Sequence, residues 1–198
     1  MTSSLPPSYF DALYAADSDP WRFATSDYEQ AKYRQTMASL PRERYGSALE
    51  VGCSIGILTG LLAARCDKLL ALDVAEAALS QARVNCAAFP RVSFARARIP
   101  AEWPDGTFDL ILFSEVLYYL DVEDIRRTAA HVCDSLAPDG TVLLVHWTEP
   151  TDYPMSGDAA VETFIAACAG RLAHSAHVTQ PCYRLDRLDC QVGSDTSG

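Results

Sequence analysis

The sequence predicts an α/β fold organised around a doubly wound parallel sheet. From residue 47 onward, short apolar runs alternate with helix-forming segments, which is the pattern of strands joined by crossover helices. The first run ends in a glycine-containing turn, residues 50–56, that leads directly into a helix-forming segment. The last two apolar runs are separated only by Pro181 and its neighbour, so they must form a hairpin that adds an antiparallel edge strand.

The elements before the sheet are predicted to be helical. Residues 9–16 are long enough for two helical turns, which Pro20 then interrupts. Ser26 and Glu29 have the spacing of a capping box, and the amphipathic helix that follows should stop at Pro41. Residues 1–44 are therefore interpreted as an N-terminal helical arm. The arm is either a lid over a site or packing for the sheet edge, and its composition favours packing.

The alternating segments assign seven strands and the helices between them. A helix capped by Asp121 should end in a turn at residues 138–140, where Pro, Asp and Gly are consecutive. The predicted strands are 47–51, 68–73, 92–95, 108–114, 141–146, 173–180 and 183–190, and the other helices are 57–66, 75–85 and 161–172. The 198 residues fit one domain. It consists of the arm, a core at 45–190 and a tail at 191–198.

Composition excludes several classes of function. The net charge of −10 disfavours a nucleic-acid partner, which would require clustered Lys and Arg. No apolar run approaches the roughly 20 residues that span a membrane, and the N-terminus lacks the features of a signal peptide, so we expect a cytoplasmic location. The seven cysteines contain no C-x-x-C pair, which predicts reduced thiols and no metal site. We expect a monomer or a weak homodimer.

The turn after the first strand indicates the chemistry of its ligand. Its glycines, Gly52 and Gly56, do not have the G-x-G-x-x-G spacing of a dinucleotide fold. Glu50, directly before the turn, would repel a pyrophosphate but can pair with a cation. S-adenosylmethionine carries an ammonium and a sulfonium and no phosphate. Asp73 closes the second strand, where its carboxylate can accept hydrogen bonds from ribose hydroxyls.

These residues resemble the class I S-adenosylmethionine-dependent methyltransferases over about residues 45–190. That resemblance implies a seven-stranded Rossmann-like sheet of order 3-2-1-4-5-7-6. Three segments, residues 19–22, 49–53 and 114–120, are also similar to the NodS family of rhizobial nodulation N-methyltransferases. That similarity implies transfer to the free amine of an amino sugar or a deacetylated chito-oligosaccharide, so the expected acceptor is a small molecule or an oligosaccharide. The expected cofactor-binding residues are Glu50, Gly52, Cys53, Ser54, Gly56, Asp73, Val74, Ile99 and Ser114.

The sequence departs from these families at three places. Ser54 stands where the methyltransferases prefer glycine. No acid follows the third strand to take the adenine amino group, so we expect backbone groups and apolar contacts from Ile99 and Trp103 to hold adenine. The loop at residues 146–153 differs from that of the nodulation enzymes, which leaves a hydroxyl or another small-molecule acceptor open.

Two side chains at the expected sheet edge are candidates for proton transfer, because an amine must be neutral to attack a methyl group. Glu115 follows the fourth strand and His146 ends the fifth. Each is alternatively a structural group, Glu115 bonding backbone amides and His146 capping a strand.

Aromatic residues are expected to bind the acceptor, because sugar rings stack on such side chains. The candidates are Trp21, Tyr118, Tyr119, Trp147 and Tyr153. One of Tyr118 and Tyr119 should instead fill the core, since adjacent residues cannot both face one site. A S-adenosylmethionine-binding partner without turnover remains an alternative function, whereas the glycine spacing disfavours a nicotinamide oxidoreductase.

Overall fold

A computed structural model describes residues 3–190 of the chain, so the tail assigned to residues 191–198 lies outside the described residues. It contains one seven-stranded sheet of order β3-β2-β1-β4-β5-β7-β6, as expected. All neighbouring strands are parallel except β7, which runs antiparallel to β5 and to β6. The strands are β1 (Ala48–Val51), β2 (Leu69–Asp73), β3 (Val92–Arg96), β4 (Phe108–Ser114), β5 (Leu136–Trp147), β6 (Leu172–Thr179) and β7 (Tyr183–Cys190).

Six α-helices accompany the sheet within the described residues. Their bounds are α1 (Pro7–Ala16), α2 (Asp27–Ala38), α3 (Ile57–Ala63), α4 (Glu76–Asn85), α5 (Val122–Ser135) and α6 (Gly157–Cys168). The side chains of Ser26 and Asp121 cap α2 and α5 by accepting backbone N–H groups, as their positions predicted. None of these helices has both the length and the apolar character needed to cross a membrane.

The predicted turn at residues 138–140 is wrong, because this segment belongs to β5. Phe108 pairs with Leu136 and Leu110 pairs with Thr141, so one residue of β4 faces four residues of β5. Residues 137–140 therefore bulge out of the ladder, and the strand begins as soon as α5 ends. The turn-forming residues mark this irregularity and not a separate loop.

Apolar clusters cover both faces of the sheet. One, which includes Phe113 and Phe164, lies between the sheet and helices α5 and α6. A second, which includes Tyr33 and Leu62, lies on the opposite face beneath α2 and α3. A smaller cluster joins Tyr14 of α1 to Ile55 in the turn after β1. This last contact brings the N-terminal arm over the carboxyl ends of the parallel strands, where ligands bind in such sheets.

Candidate active site

A cleft opens at the carboxyl ends of β1, β2 and β4, beneath the N-terminal arm. It encloses about 790 Å³ of empty space including its mouth, and a smaller chamber of about 320 Å³ adjoins it. Five residues line both spaces, so the two are continuous: Phe23, Gly52, Ser54, Ser114 and Glu115. Of the other predicted cofactor residues, Asp73, Val74 and Ile99 line the cleft, whereas Glu50 and Cys53 line the chamber.

The turn after β1 has the tight geometry that its glycines predicted. Gly52 and Gly56 have φ angles of 84° and 83°, in the left-handed region that favours glycine. A Cβ atom on Gly52 would lie 3.0 Å from the backbone oxygen of Ser114, so the turn and the end of β4 approach too closely for a side chain. Gly56 lines neither space and instead packs closely on Ala82 of α4. Its role is to shape the turn.

Ser54, the irregular position of the turn, is also left-handed, with φ of 48°. Two contacts hold it there. Its backbone N–H donates to Asp73 Oδ2 at 2.8 Å, and its hydroxyl is hydrogen-bonded to the hydroxyl of Tyr14 on α1. The serine therefore ties the arm to the turn, which a glycine would not do.

Glu50 is a buried carboxylate without a protein partner. The residue is 1 % exposed, and neither carboxylate oxygen has a hydrogen-bond partner among residues 3–190. Burial raises its pKa to about 7, with a smaller contribution from the charge of Asp73, while the nearby hydroxyl of Thr59 acts in the opposite direction. A buried carboxylate with both oxygens unpaired is costly unless a ligand satisfies it. It lines the chamber, so a cationic ligand group placed there would supply the missing charge and hydrogen bonds.

Asp73 is held rigidly at the end of β2. Its Oδ1 accepts the N–H of Ala75 at 2.9 Å and its Oδ2 accepts the N–H of Ser54. Burial raises the pKa of this carboxyl, and the backbone hydrogen bonds oppose that shift. Each oxygen keeps a second lone pair, so the carboxylate can still accept from a ligand hydroxyl.

Most of the segment that was expected to hold adenine lines the cleft. Ala97, Arg98 and Ile99 line the cleft, together with Val74 from the end of β2. The predicted contact from Trp103 is wrong. Its indole N–H donates to Ser135 at 3.2 Å and its ring stacks on His131, so it belongs to the helix packing and not to the cleft.

Glu115 lies at the junction of the cleft and the chamber. Unlike those of Glu50, both of its carboxylate oxygens have protein hydrogen-bond partners. Oε1 accepts from Lys32 Nζ at 2.5 Å, while Oε2 accepts the hydroxyl of Tyr118 at 2.8 Å and the N–H of Trp147 at 2.7 Å. Burial acts to raise its pKa, but the Lys32 ammonium and these hydrogen bonds hold the pKa below its ordinary value. Glu115 is thus an ionised carboxylate fixed in place.

Lys32 connects this carboxylate to the arm. It lies on α2, with only 3 % of its side chain exposed, and it also pairs with Glu29 at 3.1 Å. Burial acts against its charge, but the two carboxylates raise its pKa above the ordinary value. Helix α2 is therefore tied by a buried ion pair to the residue that follows β4.

His146 does not line the cleft or the chamber. It is fully buried, and its Nε2 accepts the N–H of Leu117 at 3.0 Å. Its Nδ1 has no hydrogen-bond partner among the described residues. Burial lowers its pKa to about 4, so the ring is neutral at physiological pH. The lone pair that a base would use already holds the 3₁₀ turn at Leu117–Tyr119.

The five predicted acceptor-binding aromatics divide into two groups. Trp21 and Tyr119 line the cleft. The other three are not part of its lining: Tyr118 is buried and stacks on Tyr153 at 5.2 Å, and Trp147 packs edge-on against Tyr28. Adjacent Tyr118 and Tyr119 thus face different surroundings, as expected.

Sequence reasoning missed several residues of the site. Phe10, Tyr14 and Phe23 of the arm line the cleft, and Lys32 holds Glu115. The aromatic content of the arm was a usable signal, and its interpretation as packing was incomplete because the same side chains form a wall of the cleft. Lys32 gave no such signal, since its partner is 83 residues away along the chain.

Comparison with known proteins identifies the family. The model of the family described as Nodulation protein S (NodS) matches residues 12–174. The chain belongs to the NodS family. It is 35 % identical over 153 residues to Nodulation protein S of Bradyrhizobium diazoefficiens, which covers 76 % of this chain and 73 % of that protein.

Solved structures share the fold of this chain. A putative methyltransferase from Pseudomonas syringae is 36 % identical, with a TM-score of 0.71 over 82 % of this chain and 98 % of that one. The N-methyltransferase NodS from Bradyrhizobium japonicum WM9, solved with S-adenosyl-L-homocysteine, has a TM-score of 0.82 at 23 % identity, over 93 % of this chain and 98 % of that one. The second likeness concerns the fold.

This NodS-family protein is therefore an S-adenosylmethionine-dependent methyltransferase. The residues present fit that cofactor. The unpaired oxygens of Glu50 suit its ammonium, and the carboxylate of Asp73 suits ribose hydroxyls. Among residues 3–190, Arg98 is the one cationic side chain that lines the cleft, so no basic cluster suited to phosphates is found there.

Proposed function

We propose that the enzyme methylates the free amine of an amino sugar, with deacetylated chito-oligosaccharides as its acceptors. The observation that carries the proposal is Glu115, an ionised and immobilised carboxylate at the junction of the two spaces. The names of the relatives, nodulation proteins and an N-methyltransferase, support an amine acceptor. The net charge of −10 also favours a cationic or neutral acceptor over an anionic one.

When bound, S-adenosylmethionine would supply an electrophilic methyl group, with the electron pair of the S–C bond remaining on sulfur. The acceptor nitrogen must arrive neutral, and it becomes positively charged as the new N–C bond forms. A fixed carboxylate next to that nitrogen stabilises the developing charge without reorganising. Glu115 suits this electrostatic role better than that of a base, because its depressed pKa makes it a poor proton acceptor. The proton that the product ammonium loses then passes to water.

His146 is assigned to the catalytic machinery as a positioning residue. Its Nε2 fixes the backbone at Leu117, two residues after Glu115, and therefore the orientation of that carboxylate. Direct proton transfer would require a free lone pair facing the acceptor, and neither ring nitrogen offers one in this arrangement.

The aromatic residues are assigned two roles in acceptor binding. Trp21 and Tyr119 line the cleft and would stack on a sugar ring. Tyr118, Trp147 and Tyr153 support them from behind: Tyr118 and Trp147 hydrogen-bond Glu115, and Tyr153 packs against both tyrosines.

Mass spectrometry of methyl transfer tests the acceptor. The enzyme is incubated with the cofactor and either deacetylated chito-oligosaccharides, their fully acetylated counterparts, or simple amines. We expect one methyl group on the deacetylated oligomer and none on the acetylated one, because acetylation removes the nucleophilic amine. Equal transfer to both oligomers would mean that a hydroxyl is attacked and would overturn the proposal.

We also propose where the enzyme acts and in which oligomeric state. We assign the enzyme to the cytoplasm, as a monomer or weak homodimer that needs neither nucleic acid nor a metal ion for methyl transfer. The support is that all seven cysteines are free thiols and that the net charge is strongly negative. Light scattering across a concentration series measures the oligomeric state, and a concentration-independent tetramer would contradict this part.

A further inference from the structure

A cluster of potential metal ligands lies on the terminal hairpin, away from the cleft. Among residues 3–190, one group of three His, Cys, Asp or Glu side chains has its ligand atoms within 4.8 Å of one another: His174 and His177 of β6 and Asp186 of β7. We propose that this cluster binds one divalent transition-metal ion of the zinc type and so clamps β6 to β7. The proposal is independent of the acceptor.

A β-bulge brings the two histidines together. Residues three apart on a regular strand point to opposite faces of the sheet. Here the register shifts between His174 and Ala176, so that Ser175 is an extra residue in the ladder. The two imidazoles consequently face the same carboxylate, and bulges of this kind commonly re-aim side chains.

The three side chains already converge on one point. His174 Nε2 lies 2.9 Å from Asp186 Oδ1, and His177 Nδ1 lies 2.7 Å from the same oxygen. Ligands of a tetrahedral zinc ion, at ~2.0–2.1 Å from the metal, are separated by roughly 3.3 Å, so an ion requires each pair to open by about half an ångström. Both imidazoles have the freedom to do so, because 35 % and 43 % of their side chains are exposed.

The surroundings supply the further features of a metal site. Thr179 Oγ1 lies 2.8 Å from His177 Nε2, where it can accept the N–H of the tautomer whose Nδ1 binds metal. Such an outer hydrogen bond fixes the ring and is typical of histidine ligands. Two imidazoles and one carboxylate are donors that suit Zn²⁺, Ni²⁺ or Cu²⁺, whereas Mg²⁺ prefers oxygen ligands alone.

The net charge around the cluster favours binding of a cation, although an arginine lies beside it. Arg184 donates to both oxygens of Asp186, at 2.7 and 3.0 Å, but it also pairs with Asp158 and Glu162 of α6. Three carboxylates against one guanidinium leave a formal charge of −2 when the imidazoles are neutral. Arg184 therefore orients the buried carboxylate, and the field at the histidines remains attractive to a cation.

Calorimetric titration of the untagged, chelator-treated full chain with ZnCl₂ tests the proposal. We expect one ion per chain, a higher melting temperature with Zn²⁺, and neither effect with Mg²⁺ at the same concentration. Because both rings are half exposed, His174→Gln and His177→Gln should fold normally and weaken Zn²⁺ binding by more than about 10-fold each. Thr179→Val, which removes an outer hydrogen bond and no ligand, should weaken it by about 10-fold.

His131→Gln is the matched control, because His131 is a partly exposed histidine on α5 that packs on Trp103, away from the cluster. Its Zn²⁺ affinity should equal that of the wild type. Titration with Co²⁺ separates the proposed ligands from the thiols, since a cysteine ligand adds a sulfur-to-metal charge-transfer band. Undiminished Zn²⁺ binding in the double histidine variant, or a thiolate band in the wild type, would overturn the proposal.

Discussion

Glu50 and Glu115 are the same residue type at the same edge of the sheet, yet the protein holds them in opposite states. They lie on or directly after the neighbouring parallel strands β1 and β4. Glu50 has no hydrogen-bond partner among residues 3–190 and a pKa raised to about 7, whereas Glu115 has three partners and a lowered pKa. The comparison teaches that burial alone does not determine whether a carboxylate is ionised. Glu50 would gain its countercharge from a bound ligand, whereas Glu115 already has a countercharge in Lys32.

The largest effect is expected from Glu50→Gln. The amide keeps the size of the side chain but removes the charge that we expect to pair with the cofactor's ammonium. We expect binding of S-adenosylmethionine to weaken by about 3 kcal/mol, or roughly 150-fold. Calorimetric titration measures this affinity, and Glu76→Gln, an exposed glutamate on α4, serves as the control. Equal affinities of Glu50→Gln and wild type would remove the basis of the comparison.

The pH dependence of stability tests the state of Glu50 without any ligand. Its folded pKa of about 7 exceeds the ordinary value of 4.5, so the folded state binds more protons than the unfolded state between these pH values. The contribution of Glu50 is thus fully present below about pH 4.5 and is lost as the pH rises through about 7. Complete ionisation should cost about 3 kcal/mol.

Urea denaturation measures this cost as the difference in unfolding free energy between wild type and Glu50→Gln. The difference between the two proteins isolates Glu50, because both contain His146. With its pKa lowered to about 4, His146 changes the unfolding free energy in the opposite direction as the pH rises. Wild type should lose stability relative to the variant as the pH rises from about 4.5 to about 8. A difference that is constant with pH would show that Glu50 is ionised without a ligand.

The third change, Glu115→Gln, should affect the chemical step and leave the cofactor in place. Loss of the fixed charge should reduce kcat by about 100-fold, whereas affinity for S-adenosylmethionine should change by less than about threefold. Steady-state kinetics and calorimetry separate the two quantities. Tyr118→Phe is the control, because it removes one hydrogen bond from Glu115 and keeps the charge. A large loss of cofactor affinity with unchanged kcat would assign Glu115 to the cofactor.

Variants of His146 distinguish a positioning role from that of a base. His146→Ala leaves the N–H of Leu117 unpaired and should reduce kcat by about 10-fold, with a stability loss of about 1–3 kcal/mol. His146→Gln offers an amide oxygen as a replacement acceptor and should restore most of both losses. If His146 were the base, glutamine would restore the stability alone, and the acidic limb of the kcat profile against pH would disappear.

The smallest effect is expected from Tyr14→Phe. The change removes the hydroxyl that contacts Ser54 and keeps the ring that lines the cleft. Affinity for the cofactor should fall by about threefold, because one hydrogen bond contributes about 0.5–1.5 kcal/mol. Dissociation rates from stopped-flow fluorescence should rise by the same factor. An unchanged dissociation rate would mean that the arm is held by its apolar contacts alone.

The sequence predicted the strands and the cofactor side because those signals are local. Strands β4 and β7 are found at the predicted residues and most other bounds lie within three positions of the predicted ones, since apolar runs and caps act over short distances. Glu50 was recognised as a partner for a cation because its charge, directly before the turn, would repel a pyrophosphate. Among residues 3–190 its carboxylate has no hydrogen-bond partner, which agrees with that interpretation.

The acceptor side was less predictable because its residues come together over long separations. Lys32 and Glu115 meet across 83 residues, and Tyr14 and Ser54 across 40. Trp103 was misassigned because its neighbours, Ser135 and His131, lie on a helix whose packing the sequence does not specify. His146 was correctly expected at the end of β5, but only the structure shows that its lone pair is already in use.

Ser54 has a consequence for protein engineering. Replacing it with glycine would relieve a left-handed φ that costs a serine of order 1 kcal/mol, while giving the unfolded chain a comparable gain in entropy. These two effects nearly cancel and the hydrogen bond to Tyr14 is lost, at a cost of about 0.5–1.5 kcal/mol, so a screen that selects for a higher melting temperature should pass over this position. A screen that selects for rapid turnover should instead recover Ser54→Gly, because the glycine has no hydroxyl to hold the arm against the turn.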